Sequence, residues 1–96
     1  MSQSHGASER REIYFSGHVQ GVGFRYTARQ IASRFDVRGF VKNLGDGRVL
    51  LVVEGAPDTL DQFVDAVAGE MDRHVRHRQA SVLRATGEFT NFEVRH

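Results

Sequence analysis

The chain has 96 residues, 40% of them hydrophobic and 26% charged, which corresponds to one small globular domain and not two. It contains no cysteine, so disulfides, thiol nucleophiles and thiolate metal sites are excluded. A formal net charge of +1 gives no global electrostatic case for nucleic acid or an anionic membrane.

Residues 1–11, "MSQSHGASERR", are polar and lack the apolar segment of a signal peptide, so a mobile tail is expected ahead of one domain over 12–96. The longest apolar run, "VLLVV", suffices for a strand but not for a membrane span, and the default compartment is the cytoplasm. From Glu12 to Val19 the residues alternate. Ile13, Phe15 and Val19 share one face and Tyr14, Ser16 and His18 the other, as in a half-buried strand. The period then changes to that of a helix, with Phe24, Ala28, Ile31, Ala32 and Phe35 in one apolar stripe.

Val37 to Leu44 is β in character. "GDG" at Gly45 to Gly47 predicts a hairpin, because the turn requires positive φ, and Arg48 to Glu54 is the return strand. Pro57 opens a second helix, with Asp58 and Asp61 at its positive end and a stripe of Leu60, Phe63, Val64, Val67 and Met71. Arg73 to Arg78 reads as a charged helix exit, and Ala80 to Ala85 and Phe92 to Arg95 as two last short strands. The order is β-α-β-β-α-β with a short extra C-terminal strand. It predicts an α+β, ferredoxin-like sandwich: two helices on one face of an antiparallel sheet. A right-handed first crossover with the hairpin's return strand in the middle brings the ends of the first and second strands to one end of the sheet, roughly 10 Å apart. "QGVGFR" should then face the end of "GFVKN", with Arg25 and Asn43 able to share a small ligand.

The first helix starts unusually. Its leading N–H groups lack intrahelical partners, and Gln20, Gly21, Val22 and Gly23 supply no hydroxyl or carboxylate to cap them. The glycines allow close backbone approach, so the donors suit an anion. Arg25 stands at the wrong end of the helix dipole, a cost of about 0.3–1 kcal/mol, and Arg29 is a like-charge neighbour one turn on. A phosphate would reverse both signs and match the guanidinium fork. Glycine is itself an acceptable cap, however, and an exposed arginine near a helix start is common; both descriptions fit the loop alone. No Gly-Lys-Ser/Thr follows, and Tyr26 stands where a dinucleotide fingerprint needs a third small residue.

"GHVQGVGFR" followed by "GFVKNLGDGRV" resembles the acylphosphatase family, whose signature is a Gly-x-Val-Gln-Gly-Val-x-Phe-Arg loop, a Gly-x-Val-x-Asn strand and a glycine-containing turn. The likeness runs from about Ile13 onward. It implies a ferredoxin-like enzyme that hydrolyses acyl phosphates to a carboxylate and inorganic phosphate without metal or cofactor. It further implies that the backbone N–H groups of Gln20, Gly21, Val22, Gly23, Phe24 and Arg25 and the Arg25 side chain hold the phosphate, and that Asn43 orients the attacking water. A monomer acting on a small-molecule acyl phosphate, with no nucleic-acid or membrane partner, is the expectation. The sequence departs from the family pattern at Asp36-Val37, at "RHVRHRQASV" in place of a Gly-Pro after the second helix, and at His96, where tyrosine or arginine is commoner.

Other candidates carry less. His74 and His77 have a spacing that suits a metal on a helix turn, but they sit among three arginines without a third ligand and read as solvated surface. Arg73, Arg76 and Arg78 read as a polar exit, His18 as structural or exposed, and Met71 as core. An RNA-binding module of the same sandwich stacks bases on central-strand aromatics, and "RVLLVVEG" has none. A non-catalytic acylphosphatase-like domain that binds phosphate or carbamoyl phosphate is the remaining alternative; Asn43 alone, at a strand end before a turn, needs no function.

Overall fold

The computed structural model describes residues 8–96 as β1 (Glu9–Gly17), α1 (Phe24–Ala32), β2 (Arg38–Asn43), β3 (Val49–Gly55), α2 (Pro57–Glu70), β4 (Val75–Arg84) and β5 (Phe92–Arg95). The expected element order is present. Residues 1–7 of the expected tail lie outside the described residues, but Glu9, Arg10 and Arg11 open β1 and so belong to the domain rather than to a tail. Their polarity hides the strand. It is held by ladder pairing to β3 and β4 and by ion pairs, Arg11 with Glu9 and Asp61 and Arg10 with Glu12 and Glu88, not by apolar alternation. The charged exit expected over Arg73–Arg78 is also shorter. Arg76, His77 and Arg78 already belong to β4, an edge strand exposed along nearly its whole length, which therefore carries no burial pattern to read.

The five strands lie in the order β4-β1-β3-β2-β5. β1 pairs antiparallel with both β3 and β4, and β2 antiparallel with β3, but β5 runs parallel to β2, with Lys42 opposite Arg95. The sheet is thus mixed, not antiparallel throughout as expected. The chain leaves β4 at one edge and crosses to the opposite edge before β5 begins, so no hairpin constrains β5's direction. This brings the end of β5 to the same end of the sheet as the ends of β1 and β2.

The core forms where the predicted stripes meet. Ile13, Phe15, Val41, Val49, Leu51 and Val53 from the sheet pack with Phe24, Ala28, Ile31 and Ala32 of α1 and Leu60, Phe63, Val64 and Val67 of α2, and Met71 closes it; all are buried. Phe35, just past α1, is half-buried with its ring 5.9 Å from that of Phe63. At about 25 cal/mol per Å² of apolar surface, this contiguous cluster is the main stabilising term of so small a domain.

The crossing from β4 to β5 is held by a buried carboxylate. Glu54 Oε2 accepts from the backbone N–H and the hydroxyl of Thr86, both at 2.9 Å, and from Arg10 Nη1 at 3.3 Å, while Oε1 accepts from Gly87 N–H at 2.9 Å. Burial pushes this carboxyl up, but the hydrogen bonds from Thr86 and Gly87 and the Arg10 charge outweigh that and hold it below its ordinary value of 4.5. The stabilisation is therefore complete above that value and is lost as pH falls through the lower, folded-state value. Glu54→Ala is expected to cost about 1–3 kcal/mol, because Thr86 and Gly87 lose their acceptor while Arg10 keeps Glu12 and Glu88. Urea midpoints read across pH 3–7 check this: the wild type should weaken on acidification more than the variant does.

Candidate active site

The loop from β1 to α1 is shaped by two glycines. Gly21 and Gly23 adopt φ of 77° and 79°, left-handed values that side chains disfavour. A Cβ on either would meet no protein atom within 4 Å, so backbone conformation and not crowding requires glycine, and both bare Cα atoms line a cavity. Gly23 is the helix N-cap and makes no side-chain capping bond, and the first turn of α1 has no acidic residue. The first helical bond is Thr27 N–H to Gly23 carbonyl at 2.9 Å. Among the described residues, no protein acceptor takes a hydrogen bond from the backbone N–H groups of residues 20–26. Two side chains of the same motif fasten this turn to the core: Phe24 is buried with its ring 4.9 Å from that of Phe15, and Val22 packs on the cluster's rim.

Gln20 ties the loop to the hairpin. Its Nε2 donates to the carbonyls of Leu44 at 2.7 Å and Arg48 at 2.9 Å, which are the two ends of the β2–β3 turn. The turn is itself braced: Leu44 N–H donates to Arg48 carbonyl at 2.8 Å, and Asp46 accepts from Arg48 N–H at 3.0 Å and from its Nε at 2.8 Å. The hairpin thus fixes Asn43, the last residue of β2, relative to the loop. Asn43 Oδ1 is buried and has no hydrogen-bond partner among the described residues. A buried amide oxygen without a donor costs about 1–3 kcal/mol, so a donor is expected there in the working protein.

Arg25 and Asn43 line one cavity of about 370 Å³, together with Gly21, Gly23, Phe24, Tyr26, Arg29 and His96. The predicted pair is therefore brought together at one end of the sheet. Arg25 Nη1 donates to Arg95 carbonyl at 3.2 Å and lies 3.2 Å from His96 Nδ1. Among the described residues no carboxylate side chain lines this cavity, whose charged side chains, Arg25 and Arg29, are cationic. Open N–H donors and a guanidinium border the same cavity, as an oxyanion would require, and Asn43 lines it beside them.

The structure adds what sequence spacing did not indicate. Gln20 counts through its side chain as a brace as well as through its backbone. Arg95 and His96 reach the site because β5 is parallel to β2, whereas an antiparallel last strand would have carried them to the far end. His18, His74 and His77 stand apart from the cavity. His74 lies in the turn after α2, its carbonyl accepting from His18 N–H at 3.0 Å, and His77 lies in exposed β4 rather than on a helix turn. Among the described residues no group of three potential metal ligands occurs, and no helix is long and apolar enough to cross a membrane. Arg78 approaches Asp65 at 3.8 Å across an exposed surface.

The architecture and the site together define a ferredoxin-like sandwich with a glycine-shaped loop of open N–H groups opposite a strand-end asparagine. The acylphosphatase family model matches residues 11–94, and the chain belongs to that family. It is 38% identical to an acylphosphatase from Salinibacter ruber over 94% of this chain and 96% of that one. An acylphosphatase from Archaeoglobus fulgidus is 55% identical over 56 residues, which span 58% of this chain and 63% of the relative. The solved structure of the acylphosphatase from Bacillus subtilis superposes with a TM-score of 0.81 at 31% identity, covering 92% of this chain and 99% of that one.

Proposed function

We propose that this protein hydrolyses acyl phosphates to a carboxylate and inorganic phosphate, with the phosphate held by the backbone N–H groups of residues 20–25 and the Arg25 fork, and the attacking water oriented by Asn43. The observation that carries this reading is one cavity bordered by N–H donors that have no protein acceptor among the described residues and lined by both Arg25 and Asn43. The Asn43 amide orients the water, and the water's oxygen attacks phosphorus. The bond from phosphorus to the bridging oxygen breaks, and the acyl group departs as a carboxylate with the bonding pair. One water proton ends on a phosphoryl oxygen, so the products are a carboxylate and dihydrogen phosphate.

Few catalytic groups are needed because an acyl phosphate is a mixed anhydride with a good leaving group. What remains is charge stabilisation and placement, which a preorganised loop, a guanidinium and an amide supply. A lining whose charged side chains are Arg25 and Arg29 suits a dianionic substrate. The relatives' shared name, at 38% identity over nearly the full length of one of them, supports the same activity. A cytoplasmic monomer with a small-molecule substrate goes with this reading.

The test is hydrolysis of benzoyl phosphate by the purified protein in excess chelator. Turnover that saturates with substrate and is inhibited competitively by inorganic phosphate is expected. A folded protein that binds phosphate without turnover would instead be the non-catalytic domain.

A further inference from the structure

His96 lines the cavity, and phosphate binding and water placement provide no role for its side chain. It follows β5, is exposed, and presents Nδ1 3.2 Å from Arg25 Nη1. That same Nη1 donates to the carbonyl of Arg95 at 3.2 Å. A guanidinium has five N–H donors in a rigid planar fork, of which Nη1 carries two. Both contacts of Arg25 among the described residues therefore fall on one corner, and Nε and Nη2 have no protein acceptor. The edge bearing Nε and Nη2 is one that can meet two phosphate oxygens with parallel bonds.

The geometry points to His96 as a positioning residue for Arg25. With its ring proton on Nε2, His96 accepts at Nδ1 from Arg25 Nη1. Together with the Arg95 carbonyl it pins that corner to the end of β5, leaving the Nε–Nη2 edge for the ligand. A long arginine side chain otherwise spreads over several rotamers, and a ligand's apparent affinity falls by the fraction in the competent one. Once phosphate is bound, the phosphate itself fixes the fork. The contribution of His96 should thus appear in binding and not in the chemical step. This inference rests on the phosphate-pocket reading above.

The experiment compares wild type with His96→Ala, His96→Gln and His96→Lys, using benzoyl phosphate kinetics and competitive inhibition by inorganic phosphate. Because His96 is exposed, all four proteins should share one melting temperature. His96→Ala is expected to raise both KM and the phosphate inhibition constant roughly three- to tenfold, the worth of one net hydrogen bond, with kcat nearly unchanged. His96→Gln keeps an acceptor and should restore most of the loss. His96→Lys adds a cation to an anion site, yet it has no acceptor and should bind phosphate more weakly than wild type. Unchanged constants in His96→Ala, or tighter phosphate binding in His96→Lys, overturn the role given to His96 while leaving the wild-type activity intact. A wild type that neither binds phosphate nor turns over would overturn the phosphate-pocket reading first, and this inference with it.

Discussion

Arg25→Lys is expected to lower kcat/KM for benzoyl phosphate by about 10²–10³-fold, the range seen when one preorganised donor to a developing oxyanion is removed. The positive charge stays, so the effect isolates the fork. Lysine's ammonium is a point charge on a flexible stem and cannot place two parallel N–H groups on two phosphoryl oxygens. Nor can it reproduce the two contacts of Nη1, with Arg95 carbonyl and His96, while also reaching the ligand. The inhibition constant of inorganic phosphate should rise together with KM, by about tenfold or more for a lost charge-assisted bond. Steady-state kinetics with phosphate as inhibitor read both quantities. Kinetics like the wild type's would remove Arg25 from the site.

Asn43→Ala should act differently. It removes the side chain proposed to orient the attacking water. We expect kcat to fall by about 10²–10³-fold, while phosphate still inhibits within about twofold of its wild-type constant, since holding phosphate and placing water are separate tasks. The stability of the variant should not fall, because the deleted oxygen contributes no bond within the protein. Equal loss of phosphate binding would contradict the division of labour between Asn43 and the loop.

Much of this site is visible in the sequence because its parts are local. The loop's glycines, the missing cap and Arg25 stand within a few consecutive residues, and left-handed φ at Gly21 and Gly23 is what such a stretch requires. Asn43 becomes visible through topology: one crossover and one hairpin suffice to bring it opposite the loop. The strands that carry no apolar alternation are harder to see. β1 begins at Glu9 and β4 at Val75 because ladder bonds and ion pairs extend a strand as well as burial does, and neither leaves a period in the sequence. The direction of β5 is set by the crossing that Glu54 fastens, an interaction between residues more than thirty positions apart. Residues 95 and 96 reach the site only through that direction, which no local pattern encodes.

The central claim is that the protein grips the phosphate end and that water attacks phosphorus. Turnover of benzoyl phosphate in ¹⁸O-enriched water, with the products analysed by mass spectrometry, tests it most directly. One labelled oxygen should appear in inorganic phosphate and none in benzoate, since attack at phosphorus breaks the bond between phosphorus and the bridging oxygen. Label in benzoate would mean that water attacks the carbonyl carbon, and would contradict the assignment of Asn43, Arg25 and the loop to phosphoryl transfer.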